Sequence, residues 1–175
     1  ETQKNISSHL KVYNLDGKLL SKIKLPTFGT ISFISSEKDS EEFLFDFSSF
    51  FIPNIIYRYN LNTDNLKIFK GIESIINPAL FALKQVWYRS KDGTKIPMFI
   101  ISKKGITKTG NNPAVLYGYG GFNISLLPYF SKDIMPFLER GGIFAVANIR
   151  GGGEFGEEWH KAGMQEKKQN VFDDF

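Results

Sequence analysis

"PAVLYGYGGFN", residues 113–123, decides how this chain is to be read. An unbroken apolar run from Ala114 to Tyr117 is followed by Gly118, Gly120 and Gly121. An apolar run of that length with no polar alternation suits a strand covered on both faces. Glycines straight after it suit a chain leaving the strand through a turn that side chains would oppose. A second run of the same kind, "IFAVANI" (143–149), lies downstream. Between them, "SKDIMPFLERGG" (131–142) has a helical pattern, with Ser131 as N-cap, Asp133 in the first turn and Gly141 as the stop. Pro136 makes that helix short or kinked. Strand, helix, strand with both strands apolar throughout predicts a parallel α/β sheet.

Upstream, "QVWYRS" (85–90), the turn "KDGTK" (91–95) and "IPMFIIS" (96–102) predict a hairpin that supplies the first two strands of the same sheet. Residues 1–70 follow a different grammar, that of short antiparallel strands. "HLKVYNL" (9–15) and "KLLSKIKL" (18–25) flank Asp16-Gly17, a pair suited to a type I′ turn. "TISFIS" (30–35), "EFLFDFSSF" (42–50) and the hairpin "NIIYRYNL" (54–61) to "LKIF" (66–69) continue the alternation. Such modules suit a sandwich or propeller blades, although no firm internal repeat is visible. "KGIESIINPALF" (70–81) breaks the pattern. The expected organisation is all-β over 1–72, a linker over 73–84 and α/β over 85–175.

Composition bounds the function. The chain has 175 residues, 42% hydrophobic and 23% charged, as in a soluble globular protein that buries a core. No apolar run approaches the roughly 18–20 residues of a membrane helix, and no secretory leader pattern opens the chain. The absence of an initiator Met, and an end without turn or cap, lead us to expect a piece of a longer protein. There are no cysteines, which excludes disulfides, thiolate zinc sites and a cysteine nucleophile within these residues. Net charge is +4, from 22 Lys and Arg against 18 Asp and Glu. The cations are scattered, with Lys103–Lys104 and Lys167–Lys168 the longest runs, and "SSEKDSEE" (35–42) is acidic. A polyanion site needs several cations on one face, so nucleic acid is not an expected partner. Nor is a membrane, a metal or a cofactor.

One motif argues the other way. Gly151, Gly153 and Gly156 spell G-x-G-x-x-G after a strand, the form of a dinucleotide-binding turn. Glu154, Glu157 and Glu158 would repel a pyrophosphate there, with Arg150 offsetting only part of that charge. No second strand precedes Asp173 or Asp174, the acidic residues at about the right distance. A sharp glycine turn is the better reading. The glycines after 113–119 are more informative, because in α/β-hydrolases the loop after the third strand supplies part of the oxyanion hole.

"YRSKDGTKIPMFI" (88–100), "LYGYGGFNISLLPYF" (116–130) and "VANIRGGGEFGEEWHKAG" (146–163), ending in "QNVFDDF" (169–175), resemble the prolyl oligopeptidase family of serine peptidases. Residues before about 73 are similar to the end of that family's propeller, though more loosely. The resemblance implies the N-terminal part of an α/β-hydrolase catalytic domain preceded by propeller strands. It also implies a monomeric peptidase that cuts short peptides after proline, behind a propeller that excludes folded proteins. Tyr119, second tyrosine of "YGYGGF", matches the family's oxyanion-hole tyrosine, and Phe122 an aromatic residue of its proline pocket. Both roles are physically apt. A phenol keeps its proton at neutral pH and can donate to a developing oxyanion. Proline is compact, apolar and lacks an N–H, so an aromatic face suits it. Without the resemblance, both side chains would more naturally be core residues at a strand end.

The family also needs Ser, Asp and His. No Gly-x-Ser-x-Gly occurs here, so the triad is expected beyond residue 175 and the isolated chain is expected to be inactive and to aggregate. His160 falls in a motif upstream of the nucleophile and is read as structural, His9 as a surface strand residue, and Asp173 and Asp174 as helix-start residues. The sequon at Asn123 would put a glycan on the proposed site, which favours a cytoplasmic location. A non-catalytic interaction module of the same architecture is the alternative, distinguished by whether a Gly-x-Ser-x-Gly follows.

Overall fold

A computed structural model describes residues 1–72, 76–107 and 109–175. It divides into two units, Glu1–Pro78 with Leu127–Ser131, and Ala79–Leu126 with Lys132–Phe175.

The first unit holds two antiparallel sheets. Strands β1 (Thr2–Lys4), β2 (Ser7–Tyr13) and β3 (Leu19–Ile23) form one, in chain order. β4 (Ile34–Ser35), β5 (Glu42–Ser49), β6 (Ile52–Asn60) and β7 (Asn65–Gly71) form the other, also in chain order. The period-2 pattern of β5 and β6 places Phe43 opposite Tyr59 and Phe45 opposite Tyr57. These cross-strand rings lie 5.3 and 5.5 Å apart and supply much of the sheet's buried face. The two sheets are tied through Asp64, which accepts from Ser21 Oγ at 2.9 Å and from the Tyr59 hydroxyl.

Two local expectations are corrected. "TISFIS" does not form a six-residue strand: only Ile34–Ser35 and a single bridge, Thr30 to Ser48, are β. The buried Asp46 carboxylate accepts from the backbone N–H of Ser32 and Phe33, at 2.7 and 2.8 Å, and so takes the donors a ladder would use. The Asp16-Gly17 hairpin is not type I′, which needs φ > 0 at both residues. Gly17 alone is left-handed, at φ 81°, and its N–H closes a turn onto the Asn14 carbonyl at 3.0 Å.

Leu127–Ser131 pack with this unit although they lie deep in the second half of the chain. Thr30 Oγ1 donates to the Pro128 carbonyl at 2.7 Å, and the Phe130 N–H donates to Ser48 Oγ at 3.0 Å. Of the stretch read as a linker, 73–75 lie outside the described residues, Pro78–Leu80 form a single 3-10 turn, and strand begins at Phe81.

In the second unit, β8 (Phe81–Arg89) and β9 (Lys95–Lys103) form the expected hairpin. β10 (Ala114–Gly118) and β11 (Ile143–Ala147) pair in parallel from Ala114–Ile143 to Gly118–Ala147, as strand–helix–strand predicted. The order is β8-β9-β11-β10, with Ile96, Phe99 and Ile101 of β9 fully buried. Helix α1 (Met135–Glu139) is capped by Ile134 without a side-chain bond, not by Ser131. Pro136 has no N–H and is tolerated only in a first turn, so the helix starts beside it. Gly141, at φ 88°, follows its end as expected. Helices α2 (Glu157–Lys161) and α3 (Gln169–Asp174) complete the unit.

The largest departure concerns β10. Its apolar run predicted cover on both faces, yet it is an edge strand, with Val115, Leu116 and Tyr117 each more than 40% exposed. No strand among the described residues pairs with its outer side.

Candidate active site

Tyr119 follows the last residue of β10, and the turn beyond it is packed from beneath. A Cβ on Gly118 would come 3.0 Å from the Phe175 ring. Gly120 is left-handed, at φ 61°, and a Cβ there would lie 2.6 Å from both Ile149 Cγ1 and Val171 Cγ1. Phe122 and Asn123 are also left-handed, at φ 53° and 57°. A left-handed non-glycine residue costs about 1–3 kcal/mol and persists only where its surroundings impose it. Here the Asn123 N–H donates to the Gly151 carbonyl at 3.2 Å, and the Ile124 N–H to the Gly121 carbonyl at 3.0 Å. Lys168 Nζ donates to the Gly120 carbonyl at 2.8 Å. The outcome is two large rings turned to solvent. Tyr119 is 42% and Phe122 85% exposed, so neither is a core residue.

The second glycine cluster forms the floor of this turn. A Cβ on Gly151, at φ 90°, would come 2.5 Å from the Gly120 carbonyl oxygen, and one on Gly153 2.5 Å from that of Asn123. Gly163 meets the Gly151 backbone nitrogen in the same way, at 2.4 Å. The first two glycines of G-x-G-x-x-G, Gly151 and Gly153, therefore face protein backbone where a dinucleotide turn would face pyrophosphate, while a Cβ on the third, Gly156, would meet nothing within 4 Å. The five-residue helix after them carries Glu157 and Glu158 in its first turn.

Beneath the floor lies an ion cluster that sequence reading missed. Arg150 is 5% exposed and Asp174 fully buried. The guanidinium donates through Nε and Nη2 to the Asp174 carboxylate, at 2.9 and 2.6 Å, and the Arg150 backbone N–H donates to it at 2.9 Å. The same guanidinium reaches Asp92 through Nη1 at 2.6 Å and Ser90 Oγ at 3.3 Å. Asp174 therefore closes α3 as the partner of Arg150 and does not start a helix. Among the described residues, the Asp173 carboxylate accepts from Gln169 Nε2, four residues earlier in its own helix, at 2.9 Å. The Tyr88 hydroxyl donates to the Asp174 carbonyl, and burial first, then the Asp174 charge, push that phenol up to about 12. The one sequence signal available was an arginine directly after an apolar strand, "AVANIR".

Arg150 also holds the Asp92 carboxyl down at about 2, chiefly by hydrogen bonding. Since the folded value lies below the unfolded one near 4, the group stabilises the fold above about pH 4, and that stability is lost as pH falls towards 2. Asp92→Asn is accordingly expected to flatten the acid limb of stability, measured as urea midpoints from roughly pH 5 to pH 2. An unaltered limb would leave Asp174 as the sole charge partner that matters to Arg150.

Glu154 lies under the same turn. Its Oε1 accepts from the Leu126 N–H at 3.0 Å and from Asn148 Nδ2 at 3.2 Å, while desolvation pushes its carboxyl up. His160 Nδ1 stands 3.5 Å from Glu157 within α2, and His9 is exposed on β2, so neither joins the Tyr119 turn.

The site's architecture has close counterparts. A model of the N-terminal β-propeller domain of prolyl oligopeptidase matches residues 1–71, and a model of the prolyl oligopeptidase family matches residues 128–175. Prolyl endopeptidase of Elizabethkingia meningoseptica is 46% identical over 98% of this chain, and prolyl oligopeptidase A of Amanita bisporigera 43% over 99%. The apo structure of prolyl oligopeptidase B from Galerina marginata superposes on 98% of the chain at a TM-score of 0.88 and 42% identity. This chain spans 24%, 23% and 25% of the lengths of those three. With its antiparallel sheets matched by the family's propeller, its C-terminal 48 residues by the family itself, and both by relatives aligned over 98–99% of the chain, the chain belongs to the prolyl oligopeptidase family.

Proposed function

We propose that this chain is part of a serine endopeptidase that cleaves short peptides on the carboxyl side of proline, and that its second unit begins an α/β-hydrolase catalytic domain. The observation that carries this reading is the position of Tyr119 and Phe122 just beyond the C-terminal end of β10, a parallel strand whose outer side is paired by no strand among the described residues. The outer edge of β10 offers a row of backbone N–H and C=O groups flanked by exposed apolar side chains. Parallel strands are stable when covered and paired on both sides. A further parallel strand added there would bring its own C-terminal end beside Tyr119. In α/β-hydrolases the nucleophilic serine rides on a strand-to-helix turn at that end of the sheet.

In this reading the serine Oγ attacks the carbonyl carbon of a prolyl residue and passes its proton to the triad histidine. The carbonyl π electrons move onto oxygen, and the Tyr119 hydroxyl donates to the resulting oxyanion. Phe122 supplies an apolar face for the pyrrolidine ring. The whole protein acts as a cytoplasmic monomer on short proline-containing peptides.

None of the 175 residues forms a Gly-x-Ser-x-Gly, so chemistry requires sequence outside them. The full-length protein is expected to react with a fluorophosphonate serine probe and to hydrolyse a Gly-Pro reporter peptide, whereas the 175-residue chain does neither. A full-length protein inert in both assays would be the non-catalytic module. Turnover by the short chain would put the nucleophile elsewhere.

A further inference from the structure

We propose that Lys168 is a positioning residue for the Tyr119 turn, holding the peptide between Gly120 and Gly121 in the orientation that presents Tyr119 and Phe122. The inference rests on the oxyanion role of Tyr119.

Glycine at 118, 120 and 121 makes the turn possible and also leaves it loose, because glycine gives up more conformational freedom on ordering than any other residue. Downstream of Tyr119 the turn is fixed by backbone bonds at Asn123 and Ile124. Nearer the tyrosine, the polar tether is the Lys168 ammonium on the Gly120 carbonyl, at 2.8 Å. That bond is charge-assisted and half-buried, hence stronger and more directional than a neutral one. Donation to the carbonyl sets the plane of the peptide that joins Gly120 to Gly121, and with it the path of the chain on either side.

The lysine is itself held in place. It directly precedes α3, whose Val171 packs under Gly120 and whose Asp174 grips Arg150. Its Nζ also lies 5.9 Å from the centre of the Phe172 ring. The segment 168–175 thus seats the turn through an apolar contact, a buried ion pair and one directed cation. Only the last can be removed without opening the core.

The test uses the full-length protein, with kcat expressed per site titrated by the fluorophosphonate probe. Lys168→Met keeps the aliphatic stem and removes the donor. It is expected to lower kcat about tenfold, the low end of what losing a charge-assisted bond costs, with KM changed much less. Lys168→Arg restores a donor and should recover most of that loss. In a Tyr119→Phe background, Lys168→Met should cost almost nothing further, because it acts through the phenol. Unchanged kcat in Lys168→Met, failure of arginine to rescue, or a full additional tenfold loss on Tyr119→Phe would each overturn the proposal. If Tyr119→Phe itself leaves kcat intact, it is the oxyanion role that falls. A loss of thermal stability with normal kcat per titrated site would mark Lys168 as merely structural.

Discussion

Tyr119→Phe in the full-length protein is expected to lower kcat by about 10²–10³, the equivalent of about 2.7–4 kcal/mol of transition-state stabilisation. KM should stay within a factor of about two, because in the proposed role the phenol would donate far more strongly to an oxyanion than to the ground-state carbonyl. The substitution removes one oxygen from a ring that is already 42% exposed, so folding should be nearly unaffected. The rest of the turn is anchored independently, by Asn123 on Gly151 and by Lys168 on Gly120, and keeps its shape. Steady-state kinetics with a Gly-Pro reporter, normalised to titrated sites, measure the effect. A kcat within twofold of the parent would end the oxyanion assignment.

Asp174→Ala is expected to have the largest effect on folding. It strips the carboxylate from an arginine only 5% exposed, leaving the guanidinium with Asp92 and Ser90, and it orphans the Arg150 backbone N–H. Breaking one half of a buried pair typically costs about 3–5 kcal/mol, against a total domain stability of about 5–15 kcal/mol. The shift in urea midpoint of the full-length protein, at constant m-value, reads this directly. A cost below about 1 kcal/mol would mean that Asp92 and Ser90 suffice for Arg150. The site should suffer as well, since the Arg150 carbonyl faces Gly120 and a Cβ there would come within 2.8 Å of it.

Much of the architecture was legible in the residues themselves. The alternation of Phe43, Phe45 and Phe47 announced β5, and the apolar runs at 114–117 and 143–147 announced a parallel pair. At residues 30–35 local reading failed because a side chain distant in sequence intervened. Asp46 captured the amides of Ser32 and Phe33 and prevented the strand expected at 30–35. Ser131 could not cap a helix whose start was dictated by Pro136 and whose preceding residues pack with the first unit. The candidate site shows the same division. Tyr119 and Phe122 were nameable because their motif is contiguous. Lys168 and the Arg150–Asp174 pair were not, since their partners lie 48 and 24 residues away.

By itself, then, the order of residues determined which segments are strands, where glycine must turn the chain, and which family's motifs it carries, because each depends on neighbours a few positions apart. Tertiary structure alone decided that β10 pairs in parallel with β11 at the end of the described sheet, that two aromatic rings stand exposed over a floor of glycine backbone, and that a buried arginine finds its carboxylate in α3. Those outcomes depend on close packing and on charges that must be matched once water is excluded. Which groups meet there is set by how the chain returns on itself, and no local pattern records it.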